Sequence, residues 1–161
     1  MTQLLKESAQ RVQQYLADQG SSCEVRELPG STRTAQEAAQ TIGCDVAQIA
    51  KSLIFVDKLS KKLVLIVASG VNQVDLKKVN RSQGVRLSKA DPKIVKEQTG
   101  FAIGGVPPIA HKTRIKTFLD PSLKNYPVIW AAAGTPFSVF SLNSEEIEKL
   151  TGGTFIDLKV D

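Results

Sequence analysis

Two apolar runs of strand length stand next to each other near the middle of this chain of 161 residues. They are Ser52 to Val56 and Leu63 to Ala68, and only the polar segment Asp57 to Lys62 separates them. Such a short polar connection between two runs is typical of a β-hairpin. Because neither run alternates apolar with polar residues, both strands are expected to be covered on both faces. The sequence therefore predicts a hairpin in the middle of a sheet.

The segments on either side of the hairpin predict further helices and strands. Apolar residues recur at helical spacing from Leu4 to Gln19, and a capping box predicts a second helix from Thr34 to about Gly43. Asp45 can cap a short helix that carries Ile49 and Ala50. Further strands are expected near Cys23 and Val25, at Val128 to Ala133, at Phe137 to Leu142 and at Thr154 to Val160, and further helices are expected after Asp75, Asp91 and Asn143.

Direct connections between strands outnumber strict strand–helix–strand alternations in this pattern. We therefore predict an α+β fold in which helices surround a mixed, mostly antiparallel and barrel-like sheet. No internal repeat, low-complexity tract or Pro/Gly/Ser linker divides the sequence. Because 161 residues is an ordinary length for one domain, residues 1–161 are expected to form a single domain.

The composition argues against several classes of protein. The longest apolar run, Leu63 to Ala68, is far too short to cross a bilayer, and residues 1–10 lack the apolar stretch of a signal peptide. Cys23 and Cys44 are the only cysteines and have no histidine at metal-binding spacing, so neither a disulfide framework nor a zinc site is predicted. We expect a cytoplasmic protein with no membrane contact, no metal and no other cofactor.

The charge is distributed unevenly along the chain. Residues 51–126 hold fifteen basic and five acidic side chains, whereas residues 1–50 and 127–161 are each net negative. A local surplus of this size is typical of a protein that meets a polyanion. A lysine-rich solvated surface would give the same surplus, so charge alone leaves both interpretations open.

Signatures of conventional catalysis are scarce in the sequence. His111 is the only histidine, and the G-x-S-x-G, H-E-x-x-H and P-loop motifs do not occur. An enzyme built on this chain would therefore have to work by positioning and electrostatics, without a protein nucleophile.

Lys51 is the first candidate site residue, because it precedes the first apolar run at the point where a short helix is expected to end. A cation held at the mouth of a sheet can meet a phosphate or a developing negative charge. The alternative is a lysine at a strand end that simply extends into water.

Two segments that contain glycine are the next candidates. Gly104 to Pro108 has two glycines that let backbone N–H groups approach a ligand and two prolines that stiffen the loop. Such a loop can form an oxyanion hole, although a tight structural turn is the commoner use of this composition. Small residues in the segment Trp130 to Pro136 leave room for a ligand beside a strand end, or else they pack as an ordinary hairpin.

In their order and spacing these segments resemble the YbaK/prolyl-tRNA-synthetase-associated editing domain family. The resemblance rests on a lysine that opens a hydrophobic strand (AKSLIF, with Lys51) and on a D-L-K-K segment, Asp75 to Lys78. A G-x-x-x-P loop, Gly104 to Pro108, and a turn of small residues, Ala133 to Pro136, complete it. The resemblance covers residues 30–158, and the ordered set is far more specific than any one of its motifs.

The resemblance implies a free-standing deacylase that acts in trans. Such an enzyme hydrolyses the ester joining a wrong amino acid to the terminal adenosine of a tRNA, typically tRNA(Pro) carrying alanine, cysteine or another small amino acid. The aminoacylated 3′ end of tRNA is then the substrate, and prolyl-tRNA synthetase is a candidate partner. Family members use the ribose hydroxyl of the substrate to orient water, which fits the missing nucleophile, and no metal is implied.

The resemblance also implies roles for individual residues. Lys51 would contact the terminal nucleotide, and the backbone around Gly104 to Pro108 would hold the ester carbonyl. The catalytic residues are then expected to be Lys51, Gly104, Gly105 and Pro108, and the substrate-binding residues Ser52, Val106, Pro107, His111, Gly134 and Thr135. From the basic surplus of residues 51–126 we also predict that Lys77, Lys78 and Arg81 bind tRNA.

The sequence departs from the cysteine-specific members of the family after Gly105, where Val106, Pro107 and His111 replace the usual residues. In this respect it is similar to branches that remove alanine or other small amino acids. His111 is expected to affect selectivity among small aminoacyl groups, with a general base or a packed scaffold residue as alternatives. Two other functions remain open, namely a tRNA-binding module without turnover and a regulatory domain whose basic surplus is incidental.

Overall fold

The computed structural model describes residues 6–161, so Leu4 and Leu5 at the start of the first predicted helix lie outside the described residues. Two short 3-10 helices, Val46–Gln48 and Pro121–Asn125, precede the second and sixth strands. The helices are α1 (Glu7–Asp18), α2 (Ala35–Ile42), α3 (Leu76–Gln83), α4 (Pro92–Thr99) and α5 (Ser144–Thr151). The strands are β1 (Val25–Glu27), β2 (Ile49–Asp57), β3 (Leu63–Ser69), β4 (Leu87–Lys89), β5 (Lys116–Leu119), β6 (Ile129–Ala132), β7 (Ser138–Leu142) and β8 (Thr154–Phe155).

The strands form one open, mixed sheet. Seven of them follow the order β1-β7-β6-β2-β3-β5-β8, and β4 pairs with β2 beside this path. The β1–β7, β6–β7, β2–β3 and β2–β4 pairs are antiparallel, whereas β2–β6, β3–β5 and β5–β8 are parallel. Within the described chain β1 and β8 end the sheet and do not pair with each other. The α+β class and the mixed sheet are thus confirmed, whereas the barrel-like closure is not.

β2 and β3 form the predicted hairpin, with residues 50–56 opposite residues 63–69. All of β3 is buried. On the other edge of β2, β6 pairs with residues 49–50 and β4 pairs with residues 55–57. Residues 51–54 therefore have no strand partner on that edge, and the sheet opens there.

The hairpin separates two packed layers, because successive side chains of a strand point to opposite faces. Ile54 and Val56 pack in the larger core, which α1, α4 and α5 cover. Phe55 packs in a smaller core against α3. A third cluster joins α2 to Ile49 and Trp130, so α2 lies over the first residues of β2.

Capping side chains fix the helix starts that the sequence predicts. Thr34, Asp75, Asp91 and Asn143 each accept a hydrogen bond from a backbone N–H in the first turn of the following helix. Such caps satisfy donors that have no partner inside the helix, which explains why these starts are visible in the sequence. The predicted end of the second helix near Gly43 is also confirmed, and Gly43, Gly100 and Gly152 each adopt the left-handed conformation at the end of a helix.

Two predictions about local structure need correction, and two strands were not predicted. Ile49 and Ala50 belong to β2, because pairing with β6 extends the strand to the end of the single helical turn after Asp45. The final strand is limited to β8, and beyond it Lys159 makes only an isolated bridge with Val74. The sequence does not indicate β4 and β5, because these short strands lack an apolar run of their own and form through pairing with β2 and β3.

Candidate active site

A cavity of about 470 Å³, here named the β2 cavity, opens where the sheet parts around β2. Its walls come from β2, from β6, from residues 32–35 and 38 at the start of α2 and from the loop that contains Gly104. Within the described chain, no Asp, Glu, His or Cys belongs to its lining. Of the predicted site residues, Lys51, Ser52, Gly104 and Val106 line the β2 cavity.

Both faces of β2 are accessible from the β2 cavity. Lys51 and Ser52 point to opposite faces of the strand, yet both line the cavity. This is possible because residues 51–54 have no neighbouring strand on the open edge. An unpaired strand edge presents backbone N–H and C=O groups to a ligand. One ligand can therefore meet side chains from both faces and the backbone between them.

Lys51 supplies a cation at this open edge. It is the third residue of β2, opposite Ala68, so it lies inside the strand and not at the junction that the sequence predicts. Partial burial lowers the pKa of the Lys51 ammonium below its ordinary range, and the carboxylate of Asp120 opposes this shift. Among residues 6–161 no ion pair involves Lys51. A partly desolvated ammonium without a partner is suited to binding an anion.

Two hydroxyl groups of the lining lack hydrogen-bond partners in the described structure. They are Thr32 Oγ1 and Ser52 Oγ, both of which are buried. Only 6% of Thr32 is exposed. Buried hydroxyls are normally hydrogen-bonded, so these two are available to a ligand in the β2 cavity. Thr32 is missed by sequence reasoning, because a single threonine before a helix cap forms no recognisable pattern.

The Gly104 loop and the Gly134 turn lie next to each other. The Gly134 N–H donates a hydrogen bond to the Gly105 carbonyl at 2.9 Å. A side chain on Gly105 would collide with the backbone of Thr135, 2.8 Å from the Cβ position. The Gly105 N–H donates to the Ala102 carbonyl at 3.2 Å, so it is already used. Gly105, Gly134 and Thr135 therefore pack against one another and do not line the β2 cavity.

Arg33 is a second cation of the lining, and sequence reasoning misses it. Gly104 has φ of +101°, a conformation that favours glycine, and a Cβ there would lie 3.5 Å from Arg33 Cγ. The Arg33 side chain thus extends over the loop. Together with Lys51 it gives the β2 cavity two positive charges and no carboxylate in its described lining. This arrangement favours an anionic group such as a phosphate.

Comparison with known proteins assigns the chain to a family. The sequence profile of the aminoacyl-tRNA editing domain matches residues 30–150, which include every residue of the β2 cavity lining. The chain belongs to this family. The YwhH protein of Bacillus subtilis (strain 168) is 35% identical over 128 residues, which cover 80% of this chain and 81% of that protein.

Two solved structures share the fold of this editing domain along nearly its whole length. One, described as a candidate trans-editing enzyme for prolyl tRNA synthetase, has a TM-score of 0.92 at 48% identity, with 98% of this chain and 100% of that chain covered. The other comes from work on grafting linear epitopes onto scaffold proteins by computational design. It has a TM-score of 0.91 at 45% identity and the same coverage.

Pro107, Pro108 and His111 of the editing domain lie away from the β2 cavity. Pro108 and His111 line another cavity on the far side of the Gly104 loop. The His111 Nε2–H donates a hydrogen bond to the Pro107 carbonyl at 2.7 Å. Burial lowers the pKa of His111, and the hydrogen bond to Pro107 opposes that shift. The selectivity role of His111 and the catalytic role of Pro108 stay predictions, and either would have to act through the loop.

The predicted tRNA-binding residues on α3 fall into two groups. The Lys78 ammonium lies 3.2 Å from a carboxylate oxygen of Asp157 and 3.0 Å from one of Asp161. Its hydrogen bond to Asp161 raises the pKa of Lys78. Lys77 and Arg81 are exposed and lie four residues apart on one face of α3. Lys78 thus joins α3 to the C-terminal segment, whereas tRNA binding by all three stays a prediction.

Within residues 6–161 the editing domain contains no group of three or more His, Cys, Asp or Glu side chains placed to hold a metal ion. No helix of that part combines the length and the apolar character needed to cross a membrane. Cys23 and Cys44 are free thiols, and burial raises the pKa of each. Neither thiol lines the β2 cavity, so neither is placed to act as a nucleophile there.

Proposed function

We propose that this editing domain is an aminoacyl-tRNA deacylase that acts in trans. The proposed substrate is the ester of a mischarged tRNA, in particular tRNA(Pro) carrying alanine, cysteine or another small amino acid. Membership of the editing-domain family supports the reaction class. The 48% identity to the candidate trans-editing enzyme for prolyl tRNA synthetase supports tRNA(Pro) as the substrate and the synthetase as a partner.

The observation that carries this proposal is the position of Lys51 in the β2 cavity. Its ammonium is partly buried, has no ion-pair partner among the described residues and lies beside an open strand edge. A phosphate of the terminal nucleotide would supply the negative charge that this ammonium lacks. The aminoacyl ester on the same nucleotide would then enter the cavity.

The proposed reaction is hydrolysis of that ester. Water attacks the carbonyl carbon, the bond from this carbon to the ribose oxygen breaks, and the products are the free amino acid and the tRNA with its ribose hydroxyl. Because the described lining holds no Asp, Glu, His or Cys, rate enhancement would come from positioning, with the neighbouring ribose hydroxyl orienting the water. Backbone donors of Gly104 and of the open β2 edge are candidates to hold the carbonyl oxygen.

The shape of the lining supports a small aminoacyl group. Five alanines contribute to the walls of the β2 cavity. A hydrophobic pocket distinguishes aliphatic side chains by only about 1–3 kcal/mol per methylene, so several small amino acids should be released at different rates. These alanines are Ala35, Ala38, Ala50, Ala131 and Ala132.

Release of amino acid from charged tRNA tests the proposal. The substrates are tRNA(Pro) carrying alanine, cysteine or serine, with correctly charged prolyl-tRNA(Pro) as the comparison. We expect one of the three wrongly charged tRNAs to be hydrolysed faster than the prolyl form. A gel shift with the same tRNAs separates catalysis from binding, since binding with no release of any amino acid would favour a tRNA-binding module instead.

The first prediction concerns Lys51. Lys51→Ala is expected to lower the rate of deacylation by about tenfold or more, which corresponds to roughly 1.4 kcal/mol per factor of ten. Folding stability should change little, because Lys51 is only partly buried and makes no ion pair in the described chain. Single-turnover deacylation measures the rate, and thermal unfolding measures the stability.

Lys93→Ala is the matched control for this prediction. Lys93 is an exposed lysine of α4 in the same basic stretch of sequence, and it does not line the β2 cavity. Its replacement removes one charge without altering the cavity, so turnover should stay close to that of the wild type. If a folded Lys51→Ala protein turned over as fast as the Lys93→Ala protein, Lys51 would not be a site residue.

A further inference from the structure

A second cavity, of about 420 Å³, lies on the other side of the Gly104 loop. This Arg114 cleft is lined by residues 108–111, 113–115 and 117, by Tyr15 and Gln19 at the end of α1, and by residues 149–152 at the end of α5. The reaction proposed for the β2 cavity uses none of its side chains.

The charged side chains that line the Arg114 cleft are all positive. Arg114 and Lys149 line it and are exposed, and no Asp or Glu of the described chain belongs to its lining. Neither cation forms an ion pair or a side-chain hydrogen bond within residues 6–161. Tyr15 and Gln19 add a hydroxyl and an amide that can donate hydrogen bonds. Two unpaired cations beside neutral donors are suited to an oxyanion.

Negative groups near the Arg114 cleft do not neutralise it. Glu145 lies four residues before Lys149 on the same face of α5, but the two side chains form no ion pair. The C-terminal end of α5 lies close to Arg114, since a Cβ on Gly152 would be 3.2 Å from an Nη atom of its guanidinium. A helix end carries only about half a negative charge, so a positive surplus remains in the cleft.

The strand register gives the separation between the cleft and the β2 cavity. Lys51 lies opposite Ala68 of β3, whereas Lys116, two residues after Arg114, lies beside Val64 of the same strand. With strand rises of about 3.3 Å and strand spacings of about 4.8 Å, the Cα atoms of Lys51 and Lys116 are roughly 16 Å apart, and Arg114 precedes Lys116 by two residues. A stacked nucleic-acid strand advances about 3.4 Å per nucleotide, so this distance spans several nucleotides.

One loop contributes to both cavities. Residues 103, 104 and 106 line the β2 cavity, and residues 108–111 line the Arg114 cleft. The intervening segment is buried, and the hydrogen bond from His111 to the Pro107 carbonyl holds it in place. A ligand in the cleft would therefore have a fixed position relative to the β2 cavity.

We propose that the Arg114 cleft binds a backbone phosphate of the tRNA acceptor stem while the 3′ end of the same tRNA occupies the β2 cavity. This inference rests on the proposed function. Arg114 would donate two N–H groups to the phosphate and Lys149 would act as a point charge. Contacts of this kind fix the position of an RNA without reading its sequence, so the cleft would orient the substrate and would not touch the ester.

The experiment compares a long substrate with a short one. The double variant Arg114→Gln/Lys149→Gln is tested on mischarged tRNA(Pro) and on the same aminoacyl ester carried by a CCA trinucleotide, which is too short to reach the cleft. We expect kcat/KM to fall by about tenfold or more on the tRNA and to stay unchanged on the trinucleotide. The slope of log affinity against log salt concentration should become shallower by about two.

Lys93→Gln/Lys96→Gln is the matched control. It removes two charges from exposed lysines of α4 that line neither cavity, so it keeps the total charge of the double variant. We expect a distinctly smaller loss on tRNA than for the cleft variant. An equal loss in both variants would overturn the inference, because it would show that diffuse charge and not the cleft is responsible.

Two further outcomes would also overturn the inference that the Arg114 cleft binds a phosphate of the tRNA. Equal loss on tRNA and trinucleotide would show that the cleft variant acts through the Gly104 loop. An unchanged salt slope with a lower unfolding temperature would show that Arg114 and Lys149 only stabilise the end of α5. If the wild type releases no amino acid from any tRNA, the proposed function fails, while the salt slope of tRNA binding still decides whether the cleft binds RNA.

Discussion

β2 and β3 share an apolar sequence pattern but lie in different environments. Every residue of β3 is buried, whereas residues 51–56 of β2 are all partly exposed, although the two strands pair along their length. For residues 51–54 the difference arises because β3 lies between β2 and β5, while β2 has no neighbour along these residues on its other edge. An apolar run therefore indicates that a strand will be covered, but it does not tell whether protein or ligand covers it.

The largest expected effect tests this contrast directly. Leu53 of β2 and Ile66 of β3 lie opposite each other, but Leu53 lines the β2 cavity and Ile66 is fully buried. Ile66→Ala is expected to lower the free energy of unfolding by about 2–5 kcal/mol, because it leaves a void in the smaller core. Leu53→Ala should cost clearly less stability, since its side chain is already partly exposed. Urea unfolding measures both.

Deacylation rates give a second test of the comparison between Leu53→Ala and Ile66→Ala. Leu53→Ala enlarges the β2 cavity, so it should change the ratio of deacylation rates among small aminoacyl groups. Ile66→Ala should leave that ratio unchanged under conditions where the protein is folded. Equal losses of stability in the two variants would show that β2 is covered as tightly as β3, and the contrast between the strands would be wrong.

The next test uses two serines in the same hairpin. The Ser69 hydroxyl of β3 donates to the Ala47 carbonyl at 2.8 Å, whereas the Ser52 hydroxyl of β2 has no partner in the described structure. Ser69→Ala should lower the free energy of unfolding by about 1–3 kcal/mol, because it leaves that carbonyl without its donor. Ser52→Ala should leave stability unchanged or raise it, because an unsatisfied buried hydroxyl is removed.

Deacylation is the second measurement on the two serine variants. Ser52→Ala should slow release of the amino acid, because Ser52 is a predicted substrate-binding residue whose hydroxyl lines the β2 cavity without a partner in the described structure. Ser69→Ala should leave the rate per folded molecule nearly unchanged. A stability loss in Ser52→Ala as large as in Ser69→Ala, without any change in rate, would mean that Ser52 has a protein partner in solution and no part in the site.

The parts of the fold that sequence reasoning predicts are those determined by neighbouring residues. Helix caps such as Thr34 and Asn143 act on donors within their own first turn, so their effect is local. The short strands β4 and β5 depend instead on pairing with residues more than 25 positions away, and no local pattern marks them. The open edge of the sheet likewise results from the whole topology. This explains why the sequence did not indicate that the sheet stays open.

The candidate site shows the same division between features that neighbouring residues determine and features that depend on distant parts of the chain. Lys51 and Gly104 are predicted because they belong to an ordered set of family motifs, and both line the β2 cavity. Arg33 and Thr32 are missed, because they reach the cavity only through the packing of α2 over β2. His111 follows the Gly104 loop closely in sequence, yet the buried loop carries it to the opposite side. Nearness in sequence is thus a poor guide to which face of a loop a residue occupies.

The smallest expected effect concerns the charge of Lys51, which lies opposite the buried Ala68 of β3 but is itself only partly covered. Burial lowers the pKa of Lys51 in the folded chain, with Asp120 opposing the shift. Just below the ordinary lysine value, about 10.4, the unfolded chain therefore binds more protons than the folded one. Stability should rise with pH in that window, and at lower pH the full cost of burying the charge remains.

NMR titration of the lysine side chains measures this pKa directly, with Lys51→Arg identifying the signal. We expect the pKa of Lys51 to lie below the ordinary lysine value, about 10.4, in the free protein and to rise when adenosine 5′-monophosphate is added, because a bound phosphate stabilises the charged ammonium. Adenosine is the matched control, since it lacks the phosphate and should leave the pKa low. An equal response to both ligands would show that Lys51 does not bind the phosphate. The anion that binds at the open edge of β2 would then be a different group.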